Sequence, residues 1–170
     1  VLLHTLGLHL DRPAVAMMPG AEYGPAKQWP LEHFAALARE LDAQGRQVWI
    51  FGSGKDQAAG EAIVQQAGCG VNLCGRTQLV DALDLIALCA AAVSNDSGLM
   101  HMAAALDVPT IALYGSSTPA HTPPLSDRAR VIYLGLDCSP CFKRVCPLGH
   151  TRCLHDISPE RVLKHVQDAL

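Results

Sequence analysis

The sequence predicts an α/β domain, a Rossmann-like parallel sheet with helices on both faces. Three observations carry that expectation. Short apolar runs alternate with segments of helical periodicity along the chain. Hydrophobic residues make up 49% of the sequence and aromatics only 5%, which suits a packed globular domain and excludes a disordered one. Every Gly- or Ser-rich turn falls at the carboxyl end of an apolar run: Pro19-Gly20, Gly52-Ser53-Gly54, Asn95 to Gly98, and Gly115-Ser116-Ser117. Repeated strand–loop–helix units build parallel sheets, and such sheets bind ligands beyond the carboxyl ends of their strands.

Ala14 to Met18 reads as the first strand, ended by Pro19-Gly20. Pro30 suits a first helical position, Phe34, Leu37, Ala38 and Leu41 follow at helical spacing, and Gly45 stops the helix. Val48 to Phe51 is a second strand and Asp56 to Gln66 a second helix. A short strand near Val71 to Leu73 leads into a helix from about Leu79 to Cys89. Ala90 to Val93 reads as a buried strand; the polar turn Asn95-Asp96-Ser97-Gly98 then opens a small-residue helix. Thr110 to Tyr114 and Val131 to Tyr133 are the remaining strands, separated by a Pro/Ser/Thr-rich stretch. Ser158 and Pro159 begin a terminal helix as N-cap and first residue. No repeat or linker divides residues 1–170, so one domain is expected.

Composition narrows the function. A net charge of −3 leaves no broad basic surface for nucleic acid. No apolar run reaches membrane-spanning length and no secretion signal opens the sequence, so a cytoplasmic protein is expected. The first residue is Val1, in keeping with a piece of a longer protein.

The turn at Asn95 to Gly98 has the makings of an anion site. The first N–H groups of a helix lack intrahelical partners, and the macrodipole places partial positive charge there. Ser97 adds a hydroxyl donor, and Gly98 lets a phosphate approach the backbone. Lys27, in a Gly/Pro-rich loop at another strand end, brings a point charge within reach. Asp96 would not face a diphosphate directly; it either accepts hydroxyls of an attached sugar or caps the helix.

Two familiar phosphate motifs fail. Gly52-Ser53-Gly54 begins like a dinucleotide fingerprint, but Gln57 stands at the third glycine position. Gly54-Lys55 begins to match a P-loop, but Trp49 replaces its first glycine and Asp56 its magnesium-binding hydroxyl.

Pro19-Gly20-Ala21 with Lys27 and Trp29-Pro30, followed by Asn95-Asp96-Ser97-Gly98-Leu99-Met100-His101, resembles the signatures of the ADP-heptose–lipopolysaccharide heptosyltransferases. Gly20 to Lys27 and Thr122 to Ser126 favour the type II branch of that family. The resemblance implies the C-terminal, donor-binding half of a GT-B glycosyltransferase, with the N-terminal acceptor domain outside this sequence. It implies inverting, metal-independent transfer of heptose from ADP-heptose to the lipopolysaccharide inner core, at the periphery of the inner membrane. Lys27 and the Ser97-Gly98-Leu99 turn would stabilise the departing ADP, Asp96 would position heptose hydroxyls, and His101 would approach the phosphates. Asp56 is the nearest match to the family's ribose-holding acid, and Gly20 belongs to the donor loop. The general base is expected in the N-terminal domain, so these residues alone should bind without catalysing. Another GT-B transferase or an epimerase preferring UDP, or a non-catalytic nucleotide-binding module, are the competing readings.

Seven cysteines are many for this length. Cys69, Cys74 and Cys89 sit among apolar residues and read as core. Cys138, Cys141, Cys146 and Cys153 crowd into sixteen residues, with His150 and His155 nearby. They present four ligands for a structural zinc or iron ion, the first pair at knuckle spacing; free packing thiols or disulfides are the alternatives. Trp29 and Met100 read as packing residues.

Overall fold

The computed structural model describes all residues from Val1 to Leu170. Six strands form one wholly parallel sheet in the order β3-β2-β1-β4-β5-β6. They are β1 (Ala14–Met18), β2 (Gln47–Ile50), β3 (Val71–Asn72), β4 (Ala91–Asn95), β5 (Thr110–Tyr114) and β6 (Ala129–Tyr133). The helices are α1 (Leu2–Leu6), α2 (Leu31–Ala43), α3 (Gln57–Ala67), α4 (Leu79–Ala87), α5 (Gly98–Ala105), α6 (Arg152–His155) and α7 (Pro159–Ala169). The chain order reverses between β1 and β4, the switch point where this class of sheet opens a crevice.

Strand side chains alternate between two apolar layers. Val15, Met17, Val48, Ile50, Val93, Ile111 and Leu113 face α2, α3 and α7, against Phe34, Leu37, Leu41, Ile63, Val162 and Val166. Ala16, Met18, Trp49, Phe51 and Ala92 face the opposite way, against Ala82, Leu85 and Ile86 of α4 and Ala103 of α5. Helices on both faces therefore hold, and the six strands lie where the sequence places them to within two residues.

The differences have local causes. Pro30 caps α2 rather than entering it; its ψ of 140° is extended, and the helix starts at Leu31. β4 runs through Asn95 instead of ending at Val93. Its polar end stays in the sheet because Asn95 is satisfied internally. The side-chain oxygen accepts the Trp29 N–H at 2.9 Å and the side-chain amide donates to the Pro19 carbonyl at 2.7 Å. β6 starts at Ala129, two residues early, because it is an edge strand whose exposed Arg130 and Val131 carry no burial signal. α7 is as expected, with Ser158 Oγ accepting the Arg161 N–H at 3.2 Å. The short α1 and α6 and the 3₁₀ turns at Pro25–Lys27 and Gly54–Asp56 have no counterpart in the sequence reading.

Candidate functional site

The loops after β1, β2 and β4 close around a pocket of about 630 Å³ at the carboxyl edge of the sheet. Gly20, Lys27, Asp56, Asp96, Ser97, Gly98, Leu99 and His101, dispersed over 82 residues of sequence, all line it. Their convergence follows from topology: β1, β2 and β4 are neighbours and parallel, so their following loops share one edge.

Lys27 and Asp96 are paired at the pocket's base. Lys27 Nζ donates to Asp96 Oδ2 at 3.0 Å and lies 5.0 Å from the centre of the Tyr23 ring, a cation–π contact. The same carboxylate oxygen accepts Ser117 Oγ at 2.6 Å, while Oδ1 faces His101 Nε2 at 3.8 Å. Asp96 is only 5% exposed, and these partners replace the water its carboxylate has lost. Asp96 therefore does not cap α5. Ser97 occupies the cap position without a side-chain cap bond, which leaves the first N–H groups of α5 directed at the pocket. Ser97 Oγ instead lies 3.4 Å from Ser94 Oγ. A Cβ on Gly98 would meet no protein atom within 4 Å, so that face of the turn is open to the pocket.

Asp56 sits in the loop after β2. Its Oδ2 accepts the Ser53 N–H at 2.9 Å and Ser53 Oγ at 3.3 Å, and Ser53 Oγ accepts the Lys55 N–H at 3.3 Å. This capping box aims a carboxylate into the pocket. Gly20 makes it possible: a Cβ there would lie 2.5 Å from Asp56 Oδ1. The value of this glycine is thus the close approach of a second loop. Beyond the polar loops, Met18, Phe51, Leu79, Ala82, Leu99 and Met102 form an apolar wall.

Sequence reasoning missed Tyr23, Ser53, Ser117 and Thr122. Ser53-x-x-Asp56 is a legible capping box; Ser117 lies in a Ser-rich turn at a strand end, but nothing local pairs it with Asp96, which it meets only through the neighbouring strand. Trp29 and Met100 are fully buried, as read; Trp29 Nε1 donates to the Ile157 carbonyl at 2.9 Å.

Cys74 and Cys89 are buried in the core as read, while Cys69 is half-buried against its edge. Burial pushes the Cys74 and Cys89 thiols up to about 12, and raises Cys69 in the same direction. The other four, with His150, surround a separate small cavity behind the site. As they stand, no three His, Cys, Asp or Glu side chains are grouped closely enough to hold a metal ion. The expected four-ligand geometry is therefore not formed, because Cys138 is exposed and Cys141 and Cys146 are only half-buried. Hydrogen bonds from main-chain N–H groups, that of Thr151 foremost, lower the Cys146 thiol; burial raises that of Cys153.

Comparison with known proteins decides the family. Residues 3–152 match the model for glycosyltransferase family 9 (heptosyltransferase). Lipopolysaccharide heptosyltransferase 2 of Salmonella typhimurium is 50% identical over 169 residues, covering 96% of this chain and 48% of that protein. This chain belongs to glycosyltransferase family 9. Lipooligosaccharide heptosyltransferase 2 of Haemophilus influenzae is 47% identical over 167 residues, 94% of this chain and 48% of that protein. The solved structure of E. coli ADP-heptose LPS heptosyltransferase II superposes with a TM-score of 0.87 at 46% identity, over 99% of this chain and 49% of that one. The chain thus spans about half the length of its family 9 relatives. No helix is long and apolar enough to cross a membrane.

Proposed function

We propose that residues 1–170 form the donor-binding half of an inverting transferase that moves heptose from ADP-heptose to the inner core of lipopolysaccharide. One observation carries this reading. Eight residues chosen from the sequence as donor contacts converge on a single pocket that combines a helix N-terminus, a partly buried Lys–Asp pair and an apolar wall.

The parts divide the labour of holding a nucleotide sugar. The diphosphate lies against the α5 N-terminus, where Ser97 and the free N–H groups donate to it. Asp56, held through Oδ2 by Ser53, keeps Oδ1 for the ribose hydroxyls. The adenine stacks along Met18, Phe51, Leu79 and Leu99. Transfer breaks the bond between the sugar's anomeric carbon and the ADP oxygen, which takes up negative charge as it leaves. Lys27 and the α5 N–H groups are placed to stabilise that charge, and fixed donors gain strength in a site shielded from water. Asp96 Oδ2 already holds two donors, so Asp96 positions Lys27 and the sugar hydroxyls and is not the base. The base that deprotonates the acceptor hydroxyl, and the acceptor contacts, belong to the other half of the protein. A lipid-linked acceptor places the whole enzyme at the membrane periphery.

Calorimetric titration with ADP, UDP and GDP tests the reading. Selective ADP binding is expected. A preference for UDP would point to another nucleotide-sugar enzyme of the same architecture. Failure of the whole protein to bind any of the three would overturn the reading.

A further inference from the structure

The donor pocket is short of positive charge for a diphosphate. Its lining holds three carboxylates, Glu22, Asp56 and Asp96, against one ammonium, Lys27, and one imidazole, His101. Lys27 is already bound to Asp96 at 3.0 Å. Each phosphate of a sugar-linked diphosphate carries negative charge, so binding it there adds like charge to a surplus of carboxylate. The α5 N–H groups offset part of this, since a helix N-terminus carries only about half an elementary charge. A second cation would complete the balance.

Arg144 stands beside this end of the pocket without a carboxylate of its own. Arg12, Arg128 and Arg152 are paired with Asp42, Asp107 and Asp156, whereas Arg144 forms no ion pair. Its exposed guanidinium lies 5.2 Å from the centre of the Tyr23 ring, and Lys27 Nζ lies 5.0 Å from the same centre. Tyr23 and Lys27 both line the donor pocket, so Arg144 borders it through Tyr23. Two cations from separate loops thus share one ring, a like-charge arrangement that a bound anion relieves. A cation–π contact at an exposed site is weak, so exchanging it for phosphate oxygens is easy. The other unpaired cations near this edge, Lys55 and Arg76, follow β2 and β3, on the side of Asp56 rather than of α5.

The loop that carries Arg144 has no helix or strand between residues 134 and 151, yet its main chain is pinned here. The Ala26 N–H donates to the Arg144 carbonyl at 3.0 Å, and the Phe142 N–H to the Ser116 carbonyl at 2.7 Å. The Tyr23 hydroxyl donates to the Phe142 carbonyl. Gly24, at φ 154°, admits the Arg144 main chain where any Cβ would collide with it. The Arg144 side chain therefore starts from a fixed point beside the loop that supplies Lys27.

We propose that Arg144 is a second phosphate-binding residue of the donor site, its guanidinium leaving the Tyr23 ring to grip the diphosphate alongside Lys27. The guanidinium fork matches two oxygens of one phosphate, which an ammonium does not. This assignment rests on the donor reading, because it takes a nucleoside diphosphate as the ligand of the pocket.

Calorimetric titration of the whole protein with ADP and with AMP tests it. Arg144→Ala is expected to weaken ADP binding roughly three- to tenfold, the range of an exposed charge-assisted contact, and AMP binding less. Arg144→Lys, which keeps the charge without the fork, should recover part of the loss. Lys143→Ala removes the adjacent exposed cation, which touches no ring of the site, and should bind ADP as the wild type does. Unchanged ADP affinity in Arg144→Ala would overturn the assignment. So would equal losses for ADP and AMP with no recovery in Arg144→Lys, the mark of a disturbed loop, or an equal loss in Lys143→Ala, the mark of general surface charge. Wild-type protein that binds no ADP would overturn the donor reading instead, and this assignment with it, so the two failures are seen in different proteins.

Discussion

Lys27 is where charge balance decides the site's behaviour. Its side chain is 20% exposed and paired with an Asp96 side chain that is 5% exposed, so both are held largely out of water. A bound diphosphate adds negative charge next to this pair and draws on the same ammonium. Lys27→Ala is therefore expected to weaken ADP binding by roughly ten- to a hundredfold, the range of one charge-assisted hydrogen bond; calorimetry on the folded variant measures it. The variant also leaves Asp96 with one donor fewer, so a loss of stability should accompany the loss of affinity. Ser117→Ala separates the two effects. It removes the 2.6 Å bond to Asp96 while leaving the ammonium in place. Urea denaturation should show a loss of about 1.5–3 kcal/mol, the worth of a hydrogen bond to a charged group, with a smaller fall in ADP affinity than in Lys27→Ala.

At the scale of elements, the site is a set of loops positioned by the caps and strand ends next to them. Gly20→Ala tests this directly, since the added Cβ would lie 2.5 Å from Asp56 Oδ1 and must displace that carboxylate. The capping box with Ser53 would break, at a cost of about 1 kcal/mol, and ADP affinity should fall although residue 20 itself loses no polar side-chain atom. Ser158→Ala removes a cap of similar worth at the far helix α7, so it should lower the urea midpoint comparably and leave ADP titration unchanged. These paired cases also mark the boundary of what sequence conveys. Helix starts, strand centres and the loops at strand ends are written in local patterns: Ser158-Pro159 is a cap and first residue in the sequence and in the structure. Contacts between loops are not local. Gly20 against Asp56, Ser117 against Asp96 and Asn95 between Trp29 and Pro19 each join segments that only strand order brings together. Donor residues were legible because motif spacing places them at strand ends; Ser117 on Asp96 and Tyr23 beside Lys27 were not, because no local pattern pairs them.

Across the whole molecule, a sheet covered on both sides traps ionisable groups in its apolar layers, and these govern its response to alkali. Cys74 and Cys89 lie in the two opposite apolar layers, and burial holds both thiols neutral up to about pH 12. Tyr114 is raised in the same sense by burial, then by the nearby Asp96. In the unfolded chain a cysteine ionises near 9.0, so above that pH the unfolded state holds fewer protons than the folded one. Stability then falls as pH rises, because the derivative of unfolding free energy with pH follows the proton difference between unfolded and folded states. The decline should begin near pH 9, where the unfolded thiols first ionise, and continue to about 12, where the folded ones do. Urea midpoints from pH 7 to 11 test it: a flat profile to pH 8.5 and a progressive drop beyond are expected. Cys89→Ala should flatten the alkaline limb, since it removes one of the buried thiols, and its lower midpoint at pH 7 would report the cavity it leaves. An undiminished limb in that variant would assign the alkaline loss to the other groups raised by burial, Cys74 and Tyr114 foremost, and remove Cys89 from it.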